Sequence, residues 1–210
     1  MTTSLIKRAW FPAIALGFGF LLGGKACAGD AYAPPPMNVL IRTELPNVQP
    51  PFHRAFVTSE TNKFAFLIPD GLQLHSDPLH GRINLSNVEG NRYITFTILD
   101  PTPSEGRELS ADVYREVVMN SFSNAKILEE NSRVAAGRSG PAFDIQWTSA
   151  GIIQHTRVVF AATAAGVLEF TANTSPDKFP ALENDFNQVL GTFCLSTNGK
   201  LEVPPVSDRL

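Results

Sequence analysis

Cysteine is scarce in this chain: Cys27 and Cys194 are the two it has in 210 residues. A disulfide framework needs more, and a four-cysteine metal site is impossible. Charge is also thin, at 18% of residues against 43% apolar. A disordered chain would be richer in charge and poorer in aromatics, whereas fifteen Phe can fill a core. There is no strict glycine period, heptad array or low-complexity tract, so collagen, coiled coil and solenoid are excluded. No P-loop occurs and no G-x-G-x-x-G, so nucleotide phosphates have no cradle. Gly137-Arg138-Ser139-Gly140 comes nearest to a hydrolase nucleophile turn, is not G-x-S-x-G, and reads as a β-turn.

What is present begins with an address. Lys7 and Arg8 precede an uncharged apolar run from Ala9 to Gly24. Ala26-Cys27-Ala28 and Ala31-Tyr32-Ala33 both fit the small-x-small cleavage rule. Residues 1–28 therefore read as a secretory signal peptide, with a mature start at Gly29 or Pro34 and a periplasmic or secreted destination. An uncleaved anchor is the alternative, but the run is short for a bilayer core that takes roughly 20 residues. Lipid attachment at Cys27 is disfavoured by Lys25, which puts a charge where a lipobox takes a small or apolar residue. Cleavage removes Lys7, Arg8 and Lys25, leaving 14 basic against 20 acidic residues, a formal charge of −6. That balance, with no Lys/Arg cluster in the mature chain, argues against nucleic acid and anionic membrane surfaces as partners. No membrane span is expected after cleavage.

The mature chain divides into three by composition. Residues 29–59 carry Pro34, Pro35, Pro36, Pro46, Pro50 and Pro51 and read as an extended, semi-rigid linker. Residues 60–196 carry the periodic signals of a folded domain, and 197–210 form a tail. Phe64–Ile68 is a short apolar strand before the turn Pro69-Asp70-Gly71. Arg82–Val88 and Arg92–Leu99 form a hairpin, with Ile94, Phe96 and Ile98 facing one way and Thr95 and Thr97 the other. A helix is predicted from Ser110 as N-cap to Phe122, with Val113, Val117 and Val118 or Met119 in its apolar stripe. Four strands follow, turning at Ser149-Ala150-Gly151 and Ala164-Ala165-Gly166. A second helix over about 177–190, capped by Asp177, places Phe179, Leu182, Phe186 and Val189 or Leu190 on one face. The fold class is therefore α+β: an antiparallel meander flanked by helices.

This order resembles the PsbP-like superfamily, which includes bacterial DcrB-like lipoproteins and the plant photosystem II extrinsic subunit. The residues that carry the resemblance are Phe64-Ala-Phe-Leu-Ile-Pro69-Asp-Gly71, the helix before a meander through Gly151 and Gly166, and Phe179-Pro180 … Phe186 … Val189-Leu190-Gly-Thr-Phe193. The resemblance implies an α/β/α sandwich, a closing short strand, and a role as an adaptor or stabilising subunit with no shared active site. Leu72 departs from the family's usual Trp, and the mature chain lacks the family's lipid-anchored cysteine.

Candidate chemistry is sparse. His75, Asp77 and His80 lie within six residues, and imidazole with carboxylate suits a divalent metal. A polar exposed loop is the plainer reading, with Pro78 stiffening the segment between the ligands. His53 and His155 read as surface residues. Glu129-Glu130 and Glu105/Glu108 lie in stretches that look exposed. Asp144 alternates with apolar neighbours and is expected to pair with Arg157 on the next strand. Cys194, between Phe193 and Leu195, reads as a buried thiol. The function expected is an exported, non-enzymatic binding or accessory domain without a cofactor. Its expected partner is another envelope protein or a small apolar ligand. A metal-dependent hydrolase using His75, Asp77 and His80 is the alternative.

Overall fold

Strand periodicity dominates the structure, a computed structural model describing residues 37–45, 51–59, 62–78, 80–196 and 201. The expected signal peptide, both expected mature starts and nearly all of the tail lie outside the described residues. Among the described residues eleven strands form two antiparallel sheets. The smaller orders β1 (Met37–Glu44), β2 (Phe52–Ser59), β3 (Asn62–Ile68) and β11 (Cys194–Leu195) side by side. The larger runs β4 (Leu72–Asp77), β5 (Arg82–Asn87), β6 (Arg92–Asp100), β10 (Gly166–Thr174), β9 (Ile152–Thr163), β8 (Arg138–Ser149), β7 (Lys126–Ala135). The described residues also form two helices, α1 (Ala111–Ser121) and α2 (Phe179–Thr192).

Directly opposed residues in an antiparallel pair share a face, so the registers sort every side chain of the large sheet. One face carries Leu85, Ile94, Phe96, Leu168, Phe170, Ala172, Val159 and Ala142, all buried. It packs on the small sheet and α2 through Phe64, Phe66, Leu182, Phe186 and Phe193. Phe193 sits at the hub, with ring centroids 4.9 Å from Phe170, 5.0 Å from Phe96 and 5.7 Å from Phe66. On the opposite face, α1 covers only the β8–β9 end. There Tyr114 meets Phe160 at 4.5 Å and Phe122 meets Trp147 at 5.1 Å.

The α+β class and the antiparallel meander β7–β8–β9–β10 agree with the sequence reading. The layering differs: α2 shares its layer with a second sheet instead of flanking a single one. The linker expected over 29–59 contains two full strands, β1 and β2. They are closed by Arg54, which is buried and donates from Nε to Glu44 Oε1 at 2.7 Å. In α1 the buried residues are Tyr114 and Val118, while Val113 and Met119 are exposed. Docking of Tyr114 on Phe160 turns the buried stripe from Val113 to Tyr114, while Val118, one of the two residues expected there, is buried. Ser110 holds the N-cap position but makes no side-chain cap bond. Asp177 is not the cap of α2; it lies in a 3-10 turn, Pro176–Lys178, that runs directly into the helix.

The turn expected at residues 137–140 shifts back to Ala136-Gly137, where φ is 51° and 71°. Ser139 and Gly140 belong to β8. Gly140 is required there because a Cβ would stand 1.9 Å from the Phe160 carbonyl oxygen. Among the described residues no helix is long and apolar enough to cross a membrane.

Candidate functional site

Beyond the cover of α1, the outer face of the large sheet turns polar. One row across β4, β5, β6 and β10 reads Asp77, Arg82, Thr97, Glu169. The next reads His75, Asn84, Thr95, Thr171, and the third Gln73, Ser86, Tyr93, Asn173. The local cause is period-2 alternation: each of these strands gives its apolar set to the core and its polar set to this face. Burial is graded across it, from half-buried on β10, β5 and most of β6 to exposed at His75 and Gln73 on β4.

Several of these groups are held in place. Thr95 Oγ1 donates to Asn84 Oδ1 at 3.2 Å, Thr97 Oγ1 to the Gly81 carbonyl at 3.0 Å, and Thr171 Oγ1 to Glu169 Oε1 at 3.3 Å. The Tyr93 hydroxyl donates to the Gly90 carbonyl. Asn173 joins this face to the helix-covered end: Trp147 Nε1 donates to Thr156 Oγ1 at 2.8 Å, and Thr156 donates to Asn173 Oδ1 at 2.7 Å. Burial pushes the Glu169 carboxyl above its ordinary value, opposed by the positive charge of Arg82 and the Thr171 hydrogen bond. The Nε of Arg82 is buried without a hydrogen-bond partner. A shielded guanidinium beside a carboxyl reluctant to ionise, among amides and hydroxyls, makes a surface that exchanges hydrogen bonds. The threonine hydroxyls Thr95 and Thr97 donate to an amide and a carbonyl, not to a general base, so neither is set up as a nucleophile.

The metal candidates fall at the edge of this face. His75 and Asp77 are not on a loop but on β4, two residues apart and on one side of the strand. A turn then brings His80 back, with Nδ1 2.8 Å from Asp77 Oδ2. Two of the three thus touch, while His75 makes no hydrogen bond or ion pair with either. Among the described residues no group of three or more His, Cys, Asp or Glu stands close enough to hold a metal.

A second cluster lies on the inner face. Arg157 donates from Nε to Asp144 Oδ1 at 2.5 Å and from Nη2 to Oδ2 at 2.6 Å. Glu183 of α2 also accepts from Arg157 and stands 3.5 Å from Arg133 Nη2. The expected Asp144–Arg157 pair is present. His155, read as a surface residue, is instead stacked on Phe179 with centroids 3.5 Å apart and planes within 7°. The Arg157 guanidinium lies 5.2 Å from the centroid of the same ring. His155 Nε2 is buried without a hydrogen bond, 3.9 Å from Asp144 Oδ2. No sequence signal marked this: Phe179 arrives from an element 24 residues downstream. The cluster ties α2 to the sheet.

Burial holds the His155 imidazole below its ordinary value, with Asp144 and Glu183 opposing and Arg157 reinforcing the effect. The folded chain thus takes up this proton less readily than the unfolded one, whose value is 6.5. The contribution to stability is complete above that value and declines as pH falls through it toward the depressed folded value. The wild type should lose melting temperature between pH 7 and pH 5. His155→Gln should lose less, because it lacks this proton. Glu169 and Asp185, held above their ordinary values by burial, act in the opposite sense and cancel in the comparison. Parallel melting curves across that range would show that His155 is not the group responsible.

Cys194 is half-buried, with its thiol donating to the Ala65 carbonyl at 3.4 Å. Burial raises its pKa against the pull of Arg54, which keeps it a thiol and a poor nucleophile.

No family model matches the chain, and no curated protein matches it. Solved structures do. PA94 of Pseudomonas aeruginosa, described as a protein of unknown function, matches with a TM-score of 0.41 and 20% identity over 61% of this chain and 88% of its own. LpqN of Mycobacterium tuberculosis, described as involved in cell envelope biogenesis, matches with a TM-score of 0.44 and 10% identity over 76% of this chain and 92% of its own. The cyanobacterial PsbP of Synechocystis matches with a TM-score of 0.41 and 10% identity over 81% of this chain and 98% of its own. A PsbP is thus among the structures this chain is similar to.

Proposed function

We propose that this chain is an exported, non-enzymatic binding or accessory domain whose working surface is the polar face of β4, β5, β6 and β10. One observation carries the reading. The same sheet face is apolar and helix-covered at β8–β9, yet polar, ordered by hydrogen bonds and free of any described helix at β10–β4. A sheet face needs no such ladder merely to meet water, since alternating Thr, Ser and Lys suffice. Its chemistry suits an envelope protein better than a small apolar ligand, because Arg82, Glu169, Asn84 and Thr95 offer hydrogen bonds and little apolar area.

The test is comparative capture from envelope extract with three immobilised proteins: wild type, an Arg82→Ala/Asn84→Ala variant and a Val113→Ser variant on the exposed side of α1. A partner retained by wild type and Val113→Ser but lost with the double variant supports the reading. A partner retained equally by all three removes it.

The competing reading is a metal-dependent hydrolase, favoured by the contact of His80 with Asp77 beside His75. Calorimetric zinc titration decides it. Submicromolar, one-to-one binding lost in His75→Ala and in His80→Ala would establish a metal site and displace the accessory-domain reading.

A further inference from the structure

Strand β7 is the outer strand of the large sheet, and its free edge faces no described strand. Such an edge is a template for another strand unless charge or a bulge blunts it. Here the bulge sits at one end, in the register shift between Ile127 and Glu129, which leaves Glu129–Ala135 as a regular ladder whose charges, Glu129, Glu130 and Arg133, are of both signs. Two-fold antiparallel pairing of this ladder with itself has few registers. Centred on Glu130, it sets two like charges directly opposite, which is unfavourable. Centred on Ser132, it sets Glu130, already bonded to Arg115, against Val134, and no opposite charges meet. Centred on Asn131, it sets Glu129 opposite Arg133 twice. Glu129 and Arg133 occupy one face of the strand, since they pair with Asp144 and Gly140. Just beyond the ladder, at the shift, the same register brings Leu128 toward Val134, and both are exposed apolar residues, Val134 at 63% and Leu128 at 47%. Arg133 is available for a new partner. Its 3.5 Å contact is with Glu183, which Arg157 already holds more closely.

We infer that the exported chain forms a two-fold dimer through the β7 edge, antiparallel and centred on Asn131, joining two copies of the large sheet into one. The interface is isologous, so one charge pair and one apolar pair each occur twice. Its ion pairs lie at the surface and weaken with salt.

Sedimentation velocity on the exported protein tests this, with circular dichroism as the check on folding. Wild type should be dimeric at low salt and dissociate as salt rises. Glu129→Arg and Arg133→Glu alone should each weaken the dimer by about tenfold or more. The double variant should recover it, because the opposed charges are exchanged. If Arg133→Glu unfolds the chain through Glu183, Val134→Lys serves in its place and should yield a folded monomer. A wild type that is monomeric throughout, a dimer indifferent to both reversals, or a folded double variant that stays monomeric would each overturn the inference.

Discussion

Replacing Asp144 by alanine should destabilise the protein by about 3–5 kcal/mol, the cost of leaving a buried charge without its partner. Arg157 is 5% exposed and Asp144 8%, so little water can take over the lost hydrogen bonds. The remaining carboxylate, Glu183, is 33% exposed, reaches only Nη1 and is shared with Arg133. It cannot replace a bidentate partner. Out of a typical total of about 5–15 kcal/mol this loss is large. Exchanging both partners for apolar residues, Asp144→Leu with Arg157→Met, should recover most of it, because no orphaned charge then remains. Urea denaturation of the single and double variants checks this. A single variant within about 1 kcal/mol of wild type would mean that solvent reaches the guanidinium after all.

Phe186→Ala should be comparable, at about 3–5 kcal/mol. Phe186 is fully buried on α2 and belongs to the cluster that joins the helix to both sheets. Several elements meet there, so the cavity cannot collapse by moving one of them. For a chain of this length the loss corresponds to a fall in melting temperature of roughly 6–20 °C. An unchanged melting temperature would remove α2 from the core.

These two sites differ in how they were legible. Phe186 lies in a helical stripe at regular spacing, and the stripe marked it. Asp144 and Arg157 were legible through the turn between them: Ala150-Gly151, both at positive φ, closes the hairpin so that positions 144 and 157 oppose each other. His155 lies two residues earlier on the same face, opposite Gln146. It was read as exposed because its cover, Phe179, comes from a distant element. Strands β1 and β2 were hidden by the prolines that flank them. The charge that closes them, Arg54, is buried by a partner ten residues away, and isolated charges in sequence read as surface.

Half of the polar face was also legible. Thr95 and Thr97 were seen to face away from Ile94, Phe96 and Ile98. What joins them to Glu169 and Thr171 is the placement of β10 beside β6, across some seventy residues of intervening chain. Local periodicity carries no information about such a neighbour. His75 and Asp77 were read into a polar loop because polar residues fill this stretch, although both belong to the edge strand β4.

The central claim is that the polar face, and not another surface, meets the partner. Site-specific photo-crosslinking in the cell envelope tests it most directly. The photoreactive residue is placed in turn at Asn84, at Thr95 and, as a control, at the exposed Val113 of α1. Adducts to a second, different protein are expected from positions 84 and 95 and none from 113. Adducts from 113 alone, with 84 and 95 silent, would contradict the account and move the working surface to the helix.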